Sequence, residues 1–162
     1  MSVPPLWDFS LAVYGRDGVK EACLSFQDAG GDVNVGLFVC WTALQGRDPN
    51  PVLAPLLETS SQWRSSVVEH LRSARNALKP GPEYVPEETA LALRKAILSA
   101  ELQAERVQQG FLEPLREDTP LLDESEEVSA TASRALTGSG PGVSEAVSAR
   151  FVETIFEAWK TV

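Results

Sequence analysis

Four bases recur along one side of a helical stretch: Arg64, Arg72, Arg75 and Lys79. At about 100° per residue, Trp63, Val67, Leu71, Ala74 and Leu78 form an apolar stripe from Trp63 to Lys79, and the four bases line one border of it. The next helical stretch carries the complement. There Arg94, Glu101 and Glu105 project between one apolar strip of Leu91, Leu98 and Leu102 and another of Ala90, Ile97 and Ala104. Charges flanked in this way are expected to be partly buried. Acids four apart on a helix repel by about 0.2–0.5 kcal/mol, so Glu101 and Glu105 call for cationic partners. Antiparallel packing of the two helices would bring Arg64, Arg72 or Arg75 to them. Two chemistries fit this pattern. One is a structural ion-pair network built on Arg94, Glu101 and Glu105. The other is a basic group, Arg64, Arg72, Arg75 and Lys79, that holds a partner's carboxylate or an anionic ligand against Trp63.

Other site chemistry finds little support. Helical di-metal centres use Glu-x-x-His pairs on facing helices. The single histidine, His70, has Val67 three residues before it and lies on the flank opposite the bases, so no metal is expected. A triad would have to be built on that one imidazole, and nothing near it resembles a nucleophile elbow. The sequence has no Gly-x-Gly-x-x-Gly and no Gly-Lys-Ser/Thr phosphate loop. No catalytic residue and no cofactor is therefore expected. Asp28 and Asp32 span Gly30-Gly31, but helix capping accounts for Asp32 more simply than a cation loop. Cys23 and Cys40 sit in separate apolar segments and are expected to be buried reduced thiols, against a disulfide or metal pair.

These residues need helices to position them, and the chain is punctuated accordingly. Pro4-Pro5 opens a short helix from Leu6 to about Tyr14, and Asp17 is placed to cap another from Gly18 to Asp28. Asp32 precedes the densest apolar stretch, in which Val33, Leu37, Phe38, Cys40, Trp41 and Leu44 cover most of the helix circumference. Such a helix is buried on several sides and should be central. Asn50-Pro51 starts a helix through Leu57, and Thr59-Ser-Ser-Gln62 has the form of a capping box, predicting a new helix or a kink there. Pro80 to Pro86 is a rigid connector before the longest helix, which begins at Pro86-Glu87-Glu88 and runs to about Gln109. Trp7, Trp41 and Trp63 are expected as pocket or core aromatics.

After Gly110 the composition changes. Acidic stretches flank Pro120, and Thr137 to Gly142 has the composition of a flexible linker. Val143, Val147, Phe151, Ile155 and Trp159 then recur at four-residue steps. The expected organisation is all-α: a single-domain bundle of about six or seven helices around the apolar helix 33–44. Residues 1–112 form the helical core, 113–142 an acidic Ser/Ala-rich connector, and 143–162 an amphipathic helix that packs on that core.

The chain of 162 residues is long enough for one cored domain. Its formal charge is −9, with 13 acids and 10 bases in residues 1–112 and 10 acids and 4 bases in residues 113–162. That balance disfavours nucleic acid, whose binding rests on cations meeting phosphates, and anionic lipid surfaces. No basic-then-apolar leader precedes Leu6 and no run reaches the roughly 20 apolar residues of a membrane span, so a cytoplasmic protein is expected.

The series Leu6-Trp7-Asp8-Phe9-Ser10-Leu11, Tyr14, Gly18-Val19, Glu21-Ala22-Cys23-Leu24 and Gln27-Asp28 resembles a proteobacterial family of short uncharacterised helical proteins, a domain of unknown function. The resemblance continues through Asp32-Val33-Asn34, the apolar run to Trp41, the Trp63 to Lys79 helix and Glu101 to Arg106, roughly residues 5–110. It implies a bacterial, cytoplasmic, helical protein and supplies no activity or catalytic residue. The residues favour a non-enzymatic interaction or adaptor protein with a protein partner, as monomer or homodimer. Its expected contact surface combines the basic border with the C-terminal helix or the acidic segment. The alternative is a small-molecule-binding protein or enzyme that uses a basic pocket for an anionic ligand.

Overall fold

The computed structural model describes residues 2–162. Helix α1 (Leu6–Tyr14) starts behind Pro5 and turns Leu6, Phe9 and Val13 inward. Helix α2 (Val19–Asp28) buries Val19, Ala22, Cys23 and Phe26; Gly18, not Asp17, occupies its N-cap. In α3 (Val33–Ala43) the Asp32 carboxylate accepts from the Asn34 and Val35 amides, as the sequence predicts, and every residue from Val35 to Ala43 is buried. This helix is the centre of the fold. Gly36 lets it approach α8 (Glu145–Lys160): a Cβ there would lie 2.7 Å from the Phe151 ring.

The predicted break at Thr59 is corrected. A 3-10 turn (Asn50–Val52) leads into α4 (Leu53–Trp63), a π-helical segment (Arg64–Val68) and α5 (Glu69–Ala77) without interruption. The Thr59 hydroxyl donates to the Pro55 carbonyl one turn back, so it works inside a helix and caps nothing. The irregularity comes five residues later as the π segment, an extra residue per turn that re-aims the following helix. Across the Pro80–Pro86 connector, α6 (Glu87–Leu112) returns antiparallel; its 26 residues span about 39 Å. With α4, the π segment and α5 taken as one rod, the described residues form seven helical rods, an all-α fold.

The stretch after Gly110 is more ordered than its composition indicates. A 3-10 turn (Glu113–Asp118) and a one-residue bridge between Arg47 and Leu121 lead to α7 (Val128–Leu136), which buries Thr131, Ala132, Ala135 and Leu136. The flexible linker expected at Thr137 to Gly142 is corrected as well. Its backbone lies against Ala29–Gly31: the Gly142 amide donates to the Ala29 carbonyl at 2.8 Å, and a Cβ on Gly140 would fall 2.3 Å from the Gly30 oxygen. Ser144 caps α8, leaving Val143 buried just outside the helix. Phe151 of α8 stacks on Phe26 at 4.5 Å, and Trp159 tilts against Phe9 at 5.2 Å, so the C-terminal helix is part of the core.

The apolar core draws its members from residues 3–57 and 111–159. The stretch between stands apart. Its buried apolar side chains are Val68, Ala90 and Ala104, and every residue of α5 keeps part of its surface in solvent. Helix α5 packs on α6 and on the π segment before it. The pair is an arm on the bundle. Among the described residues no helix is long and apolar enough to cross a membrane.

Candidate functional site

A polar seam runs where the root of the arm meets the bundle. Along α6, Glu101, Glu105, Gln108 and Gln109 recur at steps of four, three and one, so one face of the helix sends carboxylates and then amides toward the body. Gln109 Nε2 donates to Asn34 Oδ1 at 2.8 Å, and Ser10 Oγ donates to Gln109 Oε1 at 3.0 Å. Asn34 Nδ2 donates to Gln108 Oε1 at 3.0 Å, and Gln108 Nε2 donates to the Asp32 carboxylate at 2.9 Å. Asp32 thus caps α3 and closes an amide ladder that ties α1, α3 and α6 together. Charge alone did not reveal Asn34, Gln108 and Gln109; the sequence signal was the continued spacing beyond Glu105.

The arginines of the basic border face this seam. Arg75 Nε is hydrogen-bonded to the Glu101 carboxylate, which is 7 % exposed. Arg64 Nε stands 4.0 Å from Asp32 Oδ2. Arg72 lies beside Glu105. Burial pushes the Glu105 carboxyl above its ordinary range; Arg72 pulls it down, and Glu101 and Asp32 push it up again. Asp32, Arg64, Arg72, Glu105 and Gln108 enclose a cleft of about 40 Å³. It has room for a few water-sized molecules and is far below the roughly 300 Å³ of a small-molecule site.

The remaining expected residues are dispersed. Lys79 is exposed at the far end of the arm. Arg94 is corrected out of the network: among the described residues it has no ion-pair partner, and its Nε is buried without a hydrogen bond. It sits seven residues before Glu101, about 10 Å along the helix, and lines a groove at the arm's tip with Leu78, Val85 and Leu91. Trp63 donates its indole N–H to the Ala104 carbonyl at 3.0 Å and meets Phe111 edge-on, fastening the two strands of the arm at its base. Trp41 is in the core, bonded to the Pro4 carbonyl at 2.7 Å, with the Arg116 guanidinium over its ring. Trp7 is half-buried under Arg106, 5.7 Å from its ring centroid.

Neither thiol is poised to react. Cys23 and Cys40 are free and buried; burial, then the Glu105 charge, pushes Cys23 up to about 12, and burial raises Cys40 as well. His70 is exposed on α5. Among the described residues no three His, Cys, Asp or Glu side chains gather as a metal-binding set.

One strip of α6, in line with the seam but beyond the reach of the body, is different in kind. Leu91, Leu98 and Leu102 are 54 %, 54 % and 50 % exposed, and at about 100° per residue they fall within an arc of about 40°. Sequence reasoning placed these leucines on a strip of α6 beside charges that it expected to be partly buried. No curated protein and no solved structure matches the chain. Residues 5–112, which include α1, the seam and the whole arm, match one family profile, and the chain belongs to that family, described as Protein of unknown function (DUF2390).

Proposed function

We propose that this chain is a protein-interaction module of the bacterial cytoplasm, without a catalytic centre of its own, and that the α5–α6 arm is its contact surface. The observation that carries this reading is the row Leu91, Leu98 and Leu102, half-exposed on a two-helix arm that lacks a hydrophobic core. A helix pair that buries little apolar surface is marginal by itself, because most helical stability comes from packing an apolar face. A contiguous exposed row on such an element is what a partner would cover. The basic border expected to do this work faces inward instead: Arg75, Arg64 and Arg72 stand against Glu101, Asp32 and Glu105. The same pairing argues against an anionic ligand in the 40 Å³ cleft.

A photo-crosslinking residue placed at Leu98 in the living source cell tests the proposal, with the exposed Gln103 on the far side of α6 as control. A discrete protein adduct at Leu98, absent at Gln103 and lost with Leu102→Glu, is the expected result. Equal or no adducts at the two positions would refute the arm as a contact surface.

A further inference from the structure

We infer that the groove between α7 and α8 is a second docking surface, and that its occupant is a basic amphipathic helical segment of another protein. The groove shares no residue with the arm and its case stands without it.

The two helices form the last hairpin of the chain, packed on each other and joined by the turn that lies against Ala29–Gly31. Along α8 the residues that line the groove are Ala149, Val152, Glu153, Phe156, Glu157 and Lys160, the spacing of one helix face. At about 100° per residue, Ala149, Val152 and Phe156 fall within an arc of about 60°, and Glu153 and Glu157 within a neighbouring arc of about 40°. Val152 is buried, Phe156 is half-buried and the two acids are exposed, so an apolar floor rises to an acidic rim. From the other side the start of α7 brings Val128 and Ala130 to the groove, with Glu126 and Glu127 at its edge. The space is about 800 Å³, and from Ala149 to Lys160 it runs about 16 Å along α8, three turns. A third helix laid there would seat its apolar stripe on Val128, Val152 and Phe156, as helical segments do in two-helix grooves.

Charge decides what kind of helix fits. Four acids and one base line the groove. Lys160 is paired with Glu157, Arg134 reaches Glu126 at 3.9 Å, and Arg150 lines the neighbouring groove with Arg16 and Asp17. Among the described residues Glu127 and Glu153 have no ion-pair partner, which leaves one uncompensated carboxylate on each side of the groove. The wider surface has the same sign, since residues 113–162 hold 10 acids and 4 bases. Such a field draws a cationic segment in and repels an acidic one. A second copy of this chain is a poor source of that segment, because its basic helix turns Arg64, Arg72 and Arg75 into the seam. The occupant is about three turns of helix, with apolar residues at helical spacing on one face and Lys or Arg on both flanks.

The experiment is fluorescence anisotropy of the full chain with a labelled synthetic peptide of about eighteen Leu, Lys and Ala residues, long enough to hold a helix, with Leu along one face. The chain should bind it at least about tenfold more tightly than a peptide of the same composition in shuffled order, and added salt should weaken binding. Glu153→Lys with Glu157→Lys should weaken it at least about tenfold. Glu58→Lys with Glu69→Lys alters net charge equally at exposed sites on α4 and α5, and should weaken it less than about twofold. Both variants change exposed residues only, so the fold should survive each. Amide NMR shifts caused by the peptide should gather at the start of α7 and the end of α8. A shuffled peptide that binds as well, equal losses in the two variants, or shifts that gather on another face overturn the inference. So does spermidine, if at equal charge it displaces the peptide, because the groove would then be a site for small cations. None of these outcomes bears on the photo-adduct at Leu98, so the arm and the groove are tested separately.

Discussion

Glu101 and Glu105 stand one helical turn apart on α6 and meet different surroundings. Glu101 is buried and bonded to Arg75; Glu105 is pushed above its ordinary range by burial, which Arg72 offsets only in part. Removing one partner of a buried pair leaves the other uncompensated. Arg75 retains 20 % of its side-chain exposure, so the cost of Glu101→Gln is discounted to about 1–2 kcal/mol. Its melting temperature should fall by about 3–6 °C. Glu105→Gln should do the opposite at neutral pH. A carboxyl raised in the folded state holds its proton more tightly there than in the unfolded chain. Its contribution to stability is complete below the unfolded value and is lost as pH rises through the folded value. The variant should therefore melt about 1–4 °C higher than wild type near neutrality and at the same temperature below the carboxylate range. Thermal melts across that pH range check both; a Glu105→Gln variant with a pH-independent offset would exclude the burial argument. The acid–base complement was legible because charge spacing on two helices is periodic. The amide ladder was not, because Asn34 and Gln108 carry no charge and lie 74 residues apart.

Elements were predicted where one physical signal dominated. Asp32 before the densest apolar run marked α3, and the Pro-rich connector before Glu87-Glu88 marked the start of α6. The predicted break at Thr59 failed because Ser and Thr cap helices and also bond back one turn within them, and local sequence does not separate the two. Helix α7 escaped because its buried face is made of Thr131, Ala132 and Ala135, small residues that give weak apolar contrast. The segment after it was misread for a related reason: glycine marks flexible chain and close approach equally well. Gly140→Ala separates these meanings. With the Gly30 carbonyl in the path of the new methyl, the variant should lose about 1–3 kcal/mol and melt several degrees lower. An unchanged melting temperature would mean that the segment stands free of Ala29–Gly31.

At the scale of the whole molecule, two kinds of stability are joined at the polar seam. The bundle is held by α2, α3 and α8 through Phe26, Phe38, Phe151 and Ile155, whereas the arm holds Val68, Ala90 and Ala104 and a few polar bonds. Truncation after Gly142 would strip the partners from Phe9 and Phe26 and should yield aggregated protein. The arm should instead open locally without unfolding the bundle, because little apolar surface is exposed when it does. Amide hydrogen exchange reads this directly. Amides of α5 and of α6 up to Leu98 should exchange at least about tenfold faster than those of α3 and α8 in dilute solution. Uniform protection in the arm and the bundle would mean that the arm is a rigid extension of the core, and its exposed leucines would lose their claim to need a partner.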